Sequence, residues 1–340
     1  MIVRPIAFEE KDIYNQIVTH PLQSWEWGEF KKVTGQKVER IGFFDGHKLT
    51  NAIQVSFHDI PGGYTVGYLP KGPMPDEEQI NAMQEIAKKN NALFIKIEPN
   101  ILSPVDSKNS AFDSINTFIT ARGGKKSRNI FTHYTFLLDL TRSQDELFAN
   151  LHSKTRYNVR LAIKKGVQII DDTSSDGVES FIRLLEETTN RKNFHAHDAN
   201  YYRQMWQTLG HSGMMKVFHA VYQDTVIVSW IIFLFNNKLY YPYGASSILH
   251  REVMASNLMM WEVIQYGKEH GATSFDMWGA LGPNPNKADP WYGFHHFKQG
   301  YGATLVENFP TYDFVYNQSL YYPFLMADKA RQMWLKRKKQ

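Results

Sequence analysis

Cysteine is absent from this 340-residue sequence. That absence excludes disulfides, thiolate metal sites and a cysteine nucleophile together, and it fits a reducing compartment. The sequence also has no Walker phosphate-binding loop and no G-x-S-x-G turn of the kind that carries a catalytic serine. Chemistry through a covalent intermediate on cysteine or on such a serine is therefore not expected.

Long apolar runs are missing as well. The longest, "VIVSWIIFLF" from Val226 to Phe235, is too short to span a bilayer and predicts a buried strand. The N-terminal stretch "MIVRPIAFEEKDI" is interrupted by Arg4, Glu9, Glu10 and Lys11, so it lacks the apolar centre of a signal peptide. We expect a soluble protein of the cytoplasm.

Charge of one sign is only slightly in excess, because the net charge is +4. The distribution is more informative, since six cations crowd the C-terminal tail: Lys329, Arg331, Lys336, Arg337, Lys338 and Lys339. Such a patch could meet RNA or anionic lipid at the inner face of the membrane. A solvated helix end whose cations complement the helix dipole explains it equally well.

Histidines offer little sign of a metal site. His195 and His197 in "NFHAHD" would share one face of a strand, and His295 and His296 are adjacent. No histidine–glutamate motif accompanies either pair. We therefore predict no metal and no cofactor.

What the sequence does contain is a repeated order of elements. The first half predicts the helix "SWEWGEFKKV", three strands joined at Asp45-Gly46 and a later turn, the helix "DEEQINAMQEIAKKN" and the strand "ALFIKIEP". The second half repeats this order from "DANYYRQMWQTLG" to "TSFDMWGA". With a length that favours two domains, this predicts a duplicated α+β fold.

A basic helix is predicted between the halves, in "SQDELFANLHSKTRYNVRLAIKKGV". Ser143 and Glu146 have the spacing of a capping box, and Gly166 is a natural stop. At intervals of four residues, Arg156, Arg160 and Lys164 share one helical face, and no acidic residue follows between Lys154 and Lys165. A solvated face and an anionic partner both fit this pattern.

The stretch "QSWEWGEFK", Gln23 to Lys31, mixes tryptophans with charged residues. Trp25 and Trp27 are costly to expose, whereas Glu26, Glu29 and Lys31 are costly to bury. Such a segment belongs where a core meets solvent, and we interpret the tryptophans as packing that holds Lys31 at the rim of a cleft.

Assembled in order, several stretches resemble the Fem family of non-ribosomal peptidyl transferases (FemABX): "LQSWEWGEFK", "IKIEP", "SKTRYNVRLAIKKGV", "YYPYGASS", "LMMWEVIQYGKEHGATSFDMWG" and "FHHFKQGYGA". The resemblance implies transfer of an amino acid from aminoacyl-tRNA to the side-chain amine of a peptidoglycan-precursor stem peptide. It implies two tandem GNAT-type domains, and no heptad insertion for a coiled-coil arm is present. Domain 1, binding the precursor, would be residues 1–140 plus 310–340, and domain 2 residues 141–309.

The resemblance also implies roles for individual residues. Lys31 matches a lysine that contacts the diphosphate of a UDP-linked precursor, and Glu98 an acidic residue facing the peptide. Tyr201 and Tyr243 match tyrosines of the precursor groove, while His197 stands where relatives have an arginine. Lys298 matches a lysine at the aminoacyl-adenosine end of the tRNA. Expected catalytic residues are thus Glu98 and Lys298.

The remaining expectations concern partners and alternatives. Charged tRNA would contact Arg156, Arg160, Lys164 and Lys298, and the acceptor would be a UDP-linked or lipid-linked muropeptide bound by a monomer. One alternative is an acyl-CoA-dependent N-acyltransferase, since "KQGYGA" has a Gly-x-Gly. Phe297, however, occupies the place where a pyrophosphate loop has arginine or glutamine. The other alternative is a non-catalytic module that binds RNA or a membrane surface.

Overall fold

The structure is a computed structural model that describes residues 1–105, 110–192 and 196–337. Its strands in chain order are β1 (Ile2–Pro5), β2 (Lys37–Asp45), β3 (Lys48–Ile60), β4 (Tyr64–Pro70), β5 (Ala92–Glu98), β6 (Leu102–Pro104), β7 (Gly124–Lys126), β8 (Tyr134–Asp139), β9 (Gln168–Asp171), β10 (Met215–Tyr222), β11 (Thr225–Phe235), β12 (Lys238–Ser246), β13 (Ser274–Ala280), β14 (Thr304–Asn308) and β15 (Tyr312–Val315). Its helices are α1 (Lys11–Ile17), α2 (Trp25–Val33), α3 (Glu77–Lys89), α4 (Ser110–Ala121), α5 (Gln144–Ala149), α6 (Ser153–Lys165), α7 (Ser175–Lys192), α8 (Ala199–Met205), α9 (Ala255–Glu269), α10 (Tyr292–Gln299) and α11 (Gln318–Arg337).

The chain forms two compact units. Unit 1 comprises Met1–Ser103, Ser107–Ile130 and Phe309–Gln340, and unit 2 comprises Pro104–Asp106 and Phe131–Asn308. Unit 1 runs α2-β2-β3-β4-α3-β5, and unit 2 repeats the order as α8-β10-β11-β12-α9-β13. Two mixed sheets with helices packed on them confirm the predicted α+β fold class.

In unit 1 the strand order is β1-β2-β3-β4-β5-β15-β7. Only β4 and β5 pair in parallel among the described pairs of this sheet, because α3 connects them as a crossover. Strand β15 pairs with both β5 and β7, so the chain returns to unit 1 after its passage through unit 2. Apolar side chains of α3 and α4 cover the sheet and form its core with Ile53, Val55, Ile95 and Phe314.

In unit 2 the order is β14-β8-β13-β12-β11-β10-β9, with β6 at the β14 edge. Here β12 and β13 are the parallel pair, connected by α9. Helices α6 and α9 pack together on a core that includes Val159, Ile264 and Phe275, and α7 packs against β10, β11 and β12. The predicted buried strand "VIVSWIIFLF" lies inside β11 and is confirmed.

Local signals in the sequence account for most element ends. Gln223, Asp224, Asn236 and Asn237 all have positive φ, as the tight turns of hairpins require. Helix α5 has the predicted capping box of Ser143 and Glu146, and Gly166 (φ 83°) ends α6 in the left-handed conformation. The basic segment nevertheless forms two helices, because the helical conformation is interrupted between Ala149 and Ser153.

Two further predictions meet the structure here. His197 lies in irregular chain before α8, so the expected shared strand face with His195 is wrong as far as His197 is concerned, and His195 lies outside the described residues. In the described ranges the longest helix is α11, with 20 residues, which is shorter than the three to four heptads a coiled coil needs.

None of the helices in the described part of the chain is both long and apolar enough to cross a membrane.

Candidate active site

The tryptophan-rich segment of unit 1 is tied together by buried polar groups. Arg40 packs its guanidinium 3.9 Å from the centre of the Trp25 ring and donates to the Trp25 carbonyl and to Gln54 Oε1. Gly28 leaves the room for this contact, because a Cβ there would lie 2.0 Å from Gln54 Oε1 and 2.1 Å from Arg40 Nη2. Helix α2 is thereby fixed against β2 and β3.

Lys31 extends from the last turn of this fixed helix. Its Nζ lies 4.7 Å from the ring centre of Trp27, which is buried, and 5.1 Å from that of Phe30. Burial lowers the pKa of Lys31 to about 8, and burial together with the Lys31 charge lowers the pKa of His58. The ammonium is therefore held in place and titrates near neutral pH.

Glu98 ends strand β5 and is buried, with 4% of its surface exposed. Its Oε1 accepts from the Ile130 backbone N–H and from Thr311 Oγ1, each at 2.7 Å, and its Oε2 accepts from the Tyr68 hydroxyl. Burial and the neighbouring carboxylate raise the pKa of Tyr68 well above its ordinary value, so Tyr68 stays a donor. These contacts give the Glu98 carboxylate one fixed position.

In unit 2 the corresponding strand end is open. Strands β12 and β13 pair only from Lys238–Ser274 to Tyr240–Asp276. Just beyond that point both strands bulge, since the register with their outer neighbours shifts across Ile231/Phe233 and across Asp276/Gly279. The two strands therefore part, and their carboxyl ends leave a wedge between them.

A cavity of about 520 Å³ adjoins the open part of β12. Its lining is mainly apolar, includes five aromatic rings and comes from α7, α8, β12, α10 and the residues before α8 and α10: Leu185, Thr188, Ala196, His197, Tyr202, Pro242, Tyr243, Gly244, Pro290, Trp291 and Phe294. A concave, largely apolar cavity with a few polar groups is the usual form of a small-molecule site.

Two predicted site residues, His197 and Tyr243, line this cavity, and a third, Tyr201, contacts both. The His197 ring stacks on Tyr201 with centroids 3.7 Å apart, and the hydroxyl groups of Tyr201 and Tyr243 share a hydrogen bond. Burial raises the pKa of both phenols above the ordinary value. They remain protonated at neutral pH and offer ring faces and hydroxyl groups rather than a base.

Lys298 lies on α10 beside the same cavity and is fully buried. Its Nζ donates to the carbonyls of Gly279 at 2.8 Å and Trp278 at 3.3 Å, and it lies 3.6 Å from the ring centre of Phe294. Burial lowers the pKa of Lys298 well below its ordinary value, against the opposing charge of Asp276. The lysine thus holds the bulge of β13 and places its amine behind a ring of the cavity wall.

Trp278 shows how strongly this bulge is constrained. Its φ of 62° is unfavourable for a bulky residue, and its N–H donates to Asp276 Oδ1 at 2.7 Å. The Thr135 hydroxyl lies 2.7 Å from its carbonyl. Strain that the surroundings enforce in this way is typical of working sites.

The cations of helix α6, which is predicted to bind tRNA, differ in their contacts and exposure. Arg156 is half-buried and donates to the carbonyls of Ala149 and Leu151, which end α5. Arg160 lies over the Phe148 ring at 5.3 Å and, like Lys164, is exposed. Arg156 therefore has a structural task, and Arg160 and Lys164 form the accessible basic surface.

Several residues of the site were missed by sequence reasoning. Pro242 had a signal, because proline inside a strand marks an edge or a bulge. Trp278, Trp291 and Phe294 had none, since their positions follow from the bulge and from α10. The "KQGYGA" glycines follow α10 and pack on neighbouring backbone, where a Cβ at Gly302 would lie 3.0 Å from the Asn150 carbonyl oxygen.

Comparisons with known proteins agree with this architecture. The model of the "FemAB family" matches residues 9–220, and that of the "Acetyltransferase (GNAT) domain" matches residues 153–291. The protein is 25% identical to a lipid II:glycine glycyltransferase of Staphylococcus epidermidis, over 92% of this chain and 94% of the relative. The structure titled "Crystal structure of FemX" superposes with a TM-score of 0.83 at 24% identity, over 95% of this chain and 99% of that one.

A second solved structure, a tandem GNAT protein from the clavulanic acid biosynthesis pathway, has a TM-score of 0.53 at 12% identity, over 92% of this chain and 98% of that one. At these identities the two superpositions establish the fold alone. The family model, however, covers more than half of the chain. The chain is a member of the FemAB family, built from two GNAT-type units.

Proposed function

We propose that this protein is an aminoacyltransferase that moves an amino acid from aminoacyl-tRNA to the side-chain amine of a peptidoglycan-precursor stem peptide. The observation that carries the proposal is the aromatic cavity at the open end of β12 and β13, beside the buried Lys298. The relatives named as lipid II:glycine glycyltransferases support this reaction and favour a lipid-linked acceptor.

Unit 2 would hold the donor. Adenine is flat with polar edges and ribose carries hydroxyl groups, which suits stacking on Trp291 and hydrogen bonds with Tyr243 at the cavity wall. Tyr201, Tyr243 and His197 are expected from sequence to line the precursor groove, but Tyr243 and His197 share their cavity with Phe294, the ring next to Lys298, which favours the aminoacyl-adenosine end instead. Lys298 acts as a positioning residue that fixes the bulge facing this end.

Unit 1 would hold the acceptor. Lys31 offers a fixed positive charge for the precursor's diphosphate, whether that diphosphate belongs to a nucleotide or to a lipid carrier. Glu98 offers a fixed carboxylate that accepts hydrogen bonds, and an amine with its N–H groups is the complementary partner.

The reaction is direct aminolysis of an activated ester. The neutral amine of the stem peptide attacks the aminoacyl carbonyl, a C–N bond forms and the C–O bond to the terminal ribose breaks. The amine loses a proton and the leaving ribose oxygen gains one, so the step needs no oxidant, no ATP and no covalent enzyme intermediate. Glu98 would orient the amine and lower the cost of its positive charge.

Helix α6 would contact the tRNA backbone. Arg160 and Lys164 are exposed on a helix whose first turn carries no acidic residue, so they suit phosphate contacts. We keep Arg156 outside this surface, since its guanidinium serves the backbone of α5.

The test is transfer of radiolabelled amino acids from charged tRNA to UDP-linked and lipid-linked precursors, with mass spectrometry of the products. We expect glycine on the lipid-linked precursor to give the highest rate. Equal product formation from acetyl-CoA, or no transfer from any charged tRNA, would overturn the proposal. Full activity of a Glu98→Gln, Lys298→Met double variant would remove the roles given to both residues.

A further inference from the structure

The outer face of α11 carries large apolar side chains in contact with solvent. Tyr322, Met326 and Met333 are 57%, 74% and 51% exposed. Spacings of four and seven residues place all three on one side of the helix. The other side packs on unit 1, where Tyr321 and Phe324 contact Phe94 with ring centroids 5.4 and 5.5 Å away. Helix α11 is therefore apolar on a covered side and again on an exposed one.

Cations surround this exposed side. Lys329 is exposed on the same side of α11, three residues after Met326, and Lys125 Nζ lies 3.2 Å from the Tyr322 hydroxyl. The acidic residue of α11, Asp328, is paired with Arg128 at 3.7 Å. A row of exposed apolar side chains with lysines beside it suits a helix that lies in a membrane interface.

We propose that this face, defined by Tyr322, Met326, Lys329 and Met333 and called the α11 face below, docks on a bilayer surface that contains anionic lipids. The methionine and tyrosine side chains would enter the boundary between head groups and acyl chains, and Lys125 and Lys329 would meet lipid phosphates. The helix would lie in the plane of the surface, since the exposed apolar side chains form one row along it.

Other occupants fit the α11 face less well. RNA binding rests on phosphate contacts and gains nothing from exposed methionines. A second copy of the chain in a two-fold interface would bring Lys125 and Lys329 close to the same lysines of that copy, and like charges oppose such an interface. Of these partners, only an anionic bilayer would contact both the apolar side chains and the cations of the α11 face.

Vesicle sedimentation with the full-length protein tests the proposal and needs no substrate, so its outcome is separate from that of the proposed reaction. Vesicles of phosphatidylcholine alone are compared with vesicles that also contain phosphatidylglycerol. One variant combines Tyr322→Ser, Met326→Ser and Met333→Ser, and another carries Lys329→Gln. The matched control combines Ile248→Ser and Leu249→Ser, two residues that are 59% and 55% exposed in unit 2.

We expect the wild type to prefer the phosphatidylglycerol vesicles. The apolar variant should lower the partition coefficient by about tenfold or more, and the charge variant by about fivefold. The control should bind like the wild type, and all variants should keep its melting temperature, since the altered side chains are exposed. Wild-type binding without lipid preference, or an apolar variant that binds like the control, would overturn the proposal.

Two further outcomes would also overturn it. Loss of tRNA binding with unchanged vesicle binding in the charge variant would make the α11 face an RNA surface. A wild-type dimer that the apolar variant converts to a monomer would make it a surface for self-association. Transfer to a soluble precursor should persist in every variant, because none of these residues belongs to the proposed site.

Discussion

The parallel strand pairs of the two units differ at their carboxyl ends. In unit 1, the pairing register of β4 and β5 shifts between Thr65 and Gly67, and the two strands then stay paired as far as Pro70 and Glu98. In unit 2, β12 and β13 part after Tyr240 and Asp276. The closed pair places a buried carboxylate at its end, and the open pair creates a cavity. The same strand pair is thus closed around a side chain in one unit and open at a cavity in the other.

The difference has a local cause. Unit 2 has bulges on both strands where they part, with Pro242 unable to donate and Trp278 held at positive φ. At this bulge, Lys298 donates hydrogen bonds to the carbonyls of Trp278 and Gly279, beside the gap between the two strands. In unit 1 the pairing continues, so the backbone groups of β4 and β5 satisfy each other to the strand ends.

The largest expected effect comes from changing the lysine of the open pair. Lys298→Met should lower kcat by about a hundredfold, because the bulge loses both hydrogen bonds that the amine behind Phe294 donates to it. Donor KM should change far less than kcat, measured by steady-state transfer from charged tRNA.

A matched control exists for this variant in the same unit. Lys268 Nζ donates to the backbone carbonyls of Leu140 and Arg142, away from the cavity. Lys268→Met should therefore lower the melting temperature as much as Lys298→Met and leave kcat near the wild-type value. Equal kcat losses in both variants would contradict a special role of the open strand pair.

The closed pair should show a smaller effect. Glu98→Gln keeps an acceptor for Thr311 and Ile130 but removes the negative charge, so kcat should fall about tenfold as the amine is held less well. The control is Glu26→Gln, a second buried carboxylate of unit 1, which pairs with Lys11 and Asn15. Similar kcat values for Glu98→Gln and the wild type would separate Glu98 from the reaction.

Next in size is the effect of the basic helix of unit 2. Arg160→Gln combined with Lys164→Gln should weaken tRNA binding about fivefold and reduce the salt slope of binding by about 0.7–0.9 for each phosphate that the helix no longer neutralises. Filter binding over a series of salt concentrations measures both. The control variant combines Lys37→Gln and Lys48→Gln in unit 1 and should leave the salt slope of tRNA binding unchanged. A change as large as that of the α6 variant would show that the charge effect is not specific to α6.

The smallest effect concerns pH at the rim of unit 1. With a pKa of about 8, Lys31 is charged below that pH and loses its proton as the pH rises through it. Precursor KM should therefore rise with pH, by about twofold at pH 8, and precursor binding above pH 8 should take up protons. Lys31→Arg should keep KM flat across this range. A rise in KM that persists in this variant would assign the titration to another group.

Sequence reasoning was strongest where local chemistry decides the structure. The Asp45-Gly46 turn joins β2 to β3, and the capping box of Ser143 and Glu146 begins α5, both as predicted. It failed where tertiary packing decides the structure. The burial of Lys298 and the positive φ of Trp278 depend on partners that are distant in the chain. The use of Arg156 as a donor to backbone carbonyls depends on a helix break that no turn residue in the sequence indicates. Pro242 alone pointed to the bulge.

The position of the donor in the protein is the most direct test of the proposed division between the two units. An aminoacyl-adenosine with an amide in place of the ester and a photoreactive side chain can be cross-linked, and the labelled peptides identified by mass spectrometry. We expect label in unit 2, on the cavity residues Tyr243, Trp291 or Phe294. Label confined to the ends of β4 and β5 in unit 1, around Pro70 and Glu98, would contradict this assignment.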